Sequence, residues 1–220
     1  MSSFPGSPRI LKGGIVLLDP DTFTVRPNGI IVLQYNPDTL SRTLKIQGAE
    51  EGADRSEALR LKGPPVETFK LEAEIDATDQ LENPDANPSV VQNGIFPQLA
   101  ALEMIAYPPS TTLQNNFTLA QSGTLEIMPV LAPLPLFVWS ANRIVPVRLT
   151  DFSITEEAFD PNLNPLRAKV SLGMRTLSID DLNFNDKGGS LYMVYQQQKQ
   201  TLAAMYQGGN FSALGIRGIP

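Results

Sequence analysis

The stretch Val66–Asp76 alternates strictly. Phe69, Leu71, Ala73 and Ile75 fall on one side, and Lys70, Glu72, Glu74 and Asp76 on the other. Successive side chains of a strand point to opposite faces, so this pattern predicts a strand with one face on a core and the other in water. Short apolar runs at residues 14–18 and 29–35 predict two more strands. In the second run, Ile30-Ile31-Val32-Leu33 places apolar groups on both faces. One face can meet the core, and the other needs cover from the same domain or from another subunit. Asn36-Pro37-Asp38 reads as a turn, because proline fixes φ and Asn-Pro starts turns. Residues 40–47 then predict a strand. Residues 48–65, which end in Gly63-Pro64-Pro65, predict a loop, and so do residues 78–90 with their Asn-Pro breakers.

After residue 90 the period changes. Ile95, Leu99, Leu102 and Ala106 recur at helical spacing, which predicts one amphipathic helix stopped before Pro108-Pro109. Residues 134–139, 143–149, 150–158 and 166–177 follow as antiparallel strands. Pairing the last two with Phe152 opposite Leu172 sets Ile154 against Val170 and Glu157 against Arg167. A slide of two residues sets Glu157 against Lys169 and Asp151 against Arg175. Both registers keep apolar with apolar and acid with base, whereas a slide of one mixes the faces. A last helix is expected over residues 190–206, with an apolar stripe of Leu191, Val194, Tyr195, Leu202, Met205 and Tyr206. The tail carries Phe211, Leu214, Ile216 and Ile219, which is apolar for a terminus. It is expected to dock, either on its own domain or on a neighbour.

The composition removes most chemistry. The chain of 220 residues has no histidine and no cysteine. The commonest general base and metal ligand and the best nucleophile are therefore missing. There is no phosphate-binding glycine loop. Asp76, Asp79, Glu82 and Asp85 lack the ligand spacing of a calcium loop and read as solvated acids. No catalytic residue, cofactor or metal site is assigned. An enzyme working with those carboxylates alone is the weaker alternative. The net charge of −6 argues against nucleic acid as a partner, and no apolar run is long enough to span a bilayer. Without a signal-like N-terminus, synthesis and assembly in the cytoplasm are expected. Trp139, the only tryptophan, sits among apolar neighbours and reads as a core residue.

The second half carries an ordered set of segments. They are Pro135-Leu136-Phe137-Val138-Trp139, Arg143-Ile144-Val145-Pro146-Val147-Arg148-Leu149, Phe152-Ser153-Ile154-Thr155-Glu156-Glu157-Ala158-Phe159-Asp160 and Leu163-Asn164-Pro165-Leu166-Arg167-Ala168-Lys169-Val170. In order and spacing they resemble the tube-like, baseplate-proximal family of contractile injection systems and contractile phage tails. Tyr35-Asn36-Pro37-Asp38 and residues 71–79 agree more loosely. The resemblance spans about residues 28–178.

It implies a mainly β fold: a tail-tube-like β-barrel of two antiparallel sheets over residues 1–180, with one inserted helix. Residues 181–220 would add a C-terminal helix and a docking tail. It also implies a homo-hexameric ring between inner tube proteins and a spike or hub protein, among baseplate components. Longer family members carry a C-terminal LysM module. Here only a helix and a tail follow residue 178, which suits a tube-initiating layer or a reduced adaptor. A ring subunit needs a stiff scaffold and charged faces that set register. Glu72, Glu74 and Asp76 on one strand, and Arg167, Lys169 and Arg175 on another, are the candidate assembly residues. They can align neighbouring subunits or pair within one sheet. A small-ligand-binding β-barrel is the other alternative.

Overall fold

The computed structural model describes residues 10–48, 59–123 and 132–219. Part of the loop expected over 48–65 lies outside them. The protein is mainly β. Its strands are β1 (Gly14–Leu18), β2 (Val25–Val32), β3 (Leu40–Lys45), β4 (Val66–Asp76), β5 (Leu134–Ser140), β6 (Arg143–Phe159) and β7 (Pro165–Thr176). They form one antiparallel sheet in the order β2-β1-β5-β6-β7-β4-β3. β2 and β3 are its edge strands among the described residues.

The two strands expected over 143–158 are one. β6 runs 17 residues and belongs to both halves of the sheet. Its start pairs with β5 (Phe137 opposite Val145), and from Val147 onward it pairs with β7. The break expected at residue 149 is a bulge, where the register shifts between Leu149 and Asp151. A bulge bends its strand and increases the twist, which lets one strand serve two sheet halves. Gly173 lies opposite the bulge. A Cβ there would stand 2.7 Å from Asp151 Oδ2 and 3.1 Å from Thr150 Oγ1, so a larger residue would have to displace those side chains. Beyond the bulge the first expected register holds, with Phe152 opposite Leu172, Ile154 opposite Val170 and Glu157 opposite Arg167.

The sheet rolls so that both halves share one core. Phe69, Leu71, Ala73 and Ile75 of β4 meet Phe137, Val145, Val147, Val170, Leu172 and Met174. The rings of Phe69 and Phe137 are 5.4 Å apart, and Trp139 stacks beyond Phe137 at 5.9 Å. Gln34 ties the end of β2 to the end of β4. Its Nε2 donates to Asp76 O at 2.7 Å, and Asp76 N donates to its Oε1 at 3.0 Å. One side-chain amide thus stands in for a strand peptide where the backbone ladder stops short of closure.

The segment between β4 and β5 holds more helix than expected. α1 (Thr78–Leu81), a 3-10 turn (Pro84–Ala86), α2 (Pro88–Asn93), α3 (Phe96–Glu103) and α4 (Ser110–Gln121) replace one loop and one helix. Pro84 and Pro88, read above as breakers, stand in the first turns of helical segments. Proline is tolerated there, since the N–H it lacks has no helical partner. The expected helix survives as α3, whose Leu99 and Leu102 enter the core. α4 buries no residue, and its Leu113 and Phe117 are exposed.

The first half of α5 (Lys187–Ala204) buries Gly188 and Gly189 against Phe23 and the preceding loop at Leu182, Asn183 and Phe184, and Tyr192 and Tyr195 in the core. The expected stripe therefore needs correction. Tyr195 is buried and Leu191 partly buried, but Val194, Leu202, Met205 and Tyr206 are exposed. Small and aromatic residues made the contact where aliphatic periodicity had pointed elsewhere. A 3-10 turn (Phe211–Leu214) follows, and every described residue beyond Lys199 is exposed. The tail does not dock on its own domain. No helix among the described residues is long and apolar enough to cross a membrane.

Candidate assembly surfaces

The alternation of β4 and β7 builds a charged face on the side of the sheet away from the core. Antiparallel register sets Asp76 opposite Arg167, Glu74 opposite Lys169 and Glu72 opposite Ser171. Arg167 Nε lies 2.8 Å from Asp76 Oδ2 and 3.7 Å from Glu74 Oε1. Lys169 Nζ lies 3.5 Å from Glu157 Oε1 on the other neighbouring strand. Arg175 pairs with Asp181, past the end of β7. Five of the six candidate residues thus meet an opposite charge in their own chain. Glu72 makes no ion pair among the described residues.

Two aspartates are held ionised. Burial pushes Asp76 up, but hydrogen bonds from Thr78 and Arg167 outweigh it, so its pKa lies below the usual value. Asp181 is also pushed up by burial and more strongly pulled down by Arg175 and the Ser178 amide. Asp79 accepts from the Tyr35 hydroxyl at 3.2 Å. Glu82 and Asp85 are exposed, and no group of three or more candidate ligands stands together among the described residues.

A second polar centre lies on the core face and escaped the sequence reading. Glu67 is only 2% exposed. Its carboxylate accepts from Tyr195 Oη at 2.9 Å and Lys199 Nζ at 2.8 Å, with Arg42 Nε at 3.6 Å. Lys199 Nζ also sits 4.0 Å from the centre of the Tyr195 ring. Burial raises the Tyr195 pKa, and the Glu67 charge raises it further. A buried carboxylate is tolerable only when paired and hydrogen-bonded, so this cluster fastens α5 to β4. The signal was available, because Glu67 shares the parity of Phe69 and Leu71.

The apolar surface gathers at the sheet edges. On β2, Ile30 is 64% and Val32 57% exposed, so the second face of that run is left in large part uncovered among the described residues. On the opposite edge, Leu44 and the following Ile46 are exposed. A groove runs beside β2. One cavity of ≈300 Å³ lies between Ile30, Val32, Ala73, Pro97 and Ala101. A second, of ≈460 Å³, continues it past Asn28 and Ala101 to Met104 and Tyr107.

No family model matches the chain, and no curated protein matches it. Among solved structures it is similar to a chain in the tail of an empty GTA particle of C6 symmetry, at 12% identity and a TM-score of 0.27. That alignment covers 74% of this chain and 90% of the other. At that TM-score the likeness carries no inference about assembly or function.

Proposed function

We propose that the chain is a non-enzymatic structural subunit of a contractile injection apparatus. In this reading six copies assemble in the cytoplasm as a ring that joins the inner tube to the baseplate hub and spike. The observation that carries it is the set of apolar side chains left exposed along the two edge strands. Exposed strand edges template pairing with another chain, and soluble monomers usually blunt them with charge, proline or a covering element. β2 leaves Ile30 and Val32 exposed although it also carries Arg26 and Pro27, and β3 leaves Leu44 exposed beside Arg42 and Lys45. The two edges differ, so a contact between them is head-to-tail, and such contacts close into rings when the rotation permits. The segment order over residues 28–178 supplies the kind of ring.

Electron microscopy of particles carrying a tagged copy tests the reading, with light scattering on the purified chain. The expected result is density for the tag in one ring between tube and spike. Its absence from every particle, with a monomer that binds a cavity-seeking dye, would overturn the proposal in favour of a ligand-binding barrel.

A further inference from the structure

We propose that the C-terminal tail of one copy, residues 210–219, lies in the groove between β2 and α3 of a second copy. The inference rests on self-association of the chain, and it needs neither six-fold closure nor any particular ring.

The groove lacks specific things. Its walls are apolar, through Ile30, Val32, Pro97 and Ala101. Gln98 lines it, and the Oε1 of that residue is buried with no donor among the described residues. The Nε2 of Gln98 is already used, donating to Gln80 Oε1 at 3.3 Å. At the rim, Glu74 supplies a carboxylate whose nearest cation, Arg167, stands 3.7 Å away and bonds more closely to Asp76.

The tail offers the complement. Phe211, Leu214, Ile216 and Ile219 are exposed. Arg217 is the only charged side chain after Lys199, and it makes no ion pair among the described residues. Apolar groups and one cation match the apolar walls and the Glu74 carboxylate at the rim, while Arg26 lines the far part of the groove. The reach suffices. α5 ends at Ala204, and the fifteen residues 205–219 span up to about 50 Å when extended. A domain of this size has a radius of gyration of roughly 17 Å.

The test uses the chain truncated after Gln207 and a fluorescein-labelled peptide of residues 208–220, with binding read by anisotropy. Saturable micromolar binding is expected. Ala101→Trp fills the groove from an exposed helix position and is expected to weaken binding at least about tenfold, with folding checked by circular dichroism. An Arg217→Glu peptide is expected to bind several-fold more weakly. Absence of saturable binding, or binding indifferent to Ala101→Trp, overturns the proposal. So does a full-length chain that excludes the peptide equally at all protein concentrations, since the tail would then occupy its own groove. Rings that form normally from the truncated chain, together with no peptide binding, would sink the tail contact and leave the ring reading standing. Peptide binding without rings would do the reverse.

Discussion

Glu67 and Lys199 make an unequal pair, and the inequality can be measured. Glu67 is 2% exposed, whereas Lys199 and Arg42 keep 30% and 40% of their side-chain surface. Glu67→Gln leaves two cations that can turn to water and keeps an acceptor for Tyr195, so the loss is about 1–2 kcal/mol. Lys199→Met leaves the carboxylate buried with Tyr195 and a more distant Arg42. The loss then includes the charge-assisted bond at 2.8 Å and the desolvation it had offset, about 2–3 kcal/mol. The double variant removes donor and charge together, so it should cost less than the sum, with a coupling of about 1 kcal/mol or more. Urea unfolding followed by Trp139 fluorescence reads each value, the lone tryptophan reporting from beside Phe137. A Lys199→Met cost below about 0.5 kcal/mol, or strict additivity in the double variant, would refute the idea that this carboxylate is the fastener of α5.

Gly94→Ala should destabilise by about 2 kcal/mol or more in the same assay. Gly94 has φ +56°, and a Cβ would stand 2.2 Å from Pro165 O, the acceptor of the Ile95 amide. Asp76 and Asp181 have folded pKa values below their unfolded ones, so their contribution is present above about pH 4 and lost as pH falls through the folded values. Acid titration should show a stability loss below about pH 4 that shrinks in Asp76→Asn; an unchanged profile would count against this assignment. Charge reversal at Arg167 and Arg175 should lower monomer stability, because Asp76 and Asp181 lose their partners. Assembly that survives this loss would remove an intersubunit role for those arginines. Ile30→Lys with Val32→Lys, at exposed edge positions, should suppress ring formation while moving the denaturation midpoint little, and rings that persist would argue against the β2 edge.

Where periodicity was strong, the fold was legible. The alternation of β4 fixed its bounds and its buried face, and the pattern of β6 and β7 narrowed the register to two choices. Phe152 opposite Leu172 won, with a bulge near Thr150 that no alternation shows because the extra residue breaks it. The helical segments between β4 and α3 were hidden for a different reason. Pro84 and Pro88 sit in first turns, where proline starts a helix as readily as it ends one. α5 misled because its buried residues are two glycines against the preceding loop and two tyrosines in the core, which a search for aliphatic stripes passes over. The six charged candidates were visible as two strand faces, but their partners depended on strand order. β4 and β7 are neighbours only because the chain crosses over from β4 to β5 before returning.

If copies associate as proposed, that strand order also limits how they can recognise one another. Arg167 is held by Asp76 and Glu74, Lys169 faces Glu157, and Arg175 is taken by Asp181. To align a neighbour, these groups would have to exchange one partner for another at similar distance, and exposed exchanges of that kind yield little free energy. Glu72 has no such partner and is the acid freest to act between chains. The apolar edges have nothing to exchange. Ile30 and Val32 face water in the isolated chain, and each fully buried side chain of that size contributes about 1.5–3 kcal/mol. Affinity between copies should therefore come from β2, β3 and the groove beside α3, with the charged face setting which approach is allowed rather than how tightly it holds.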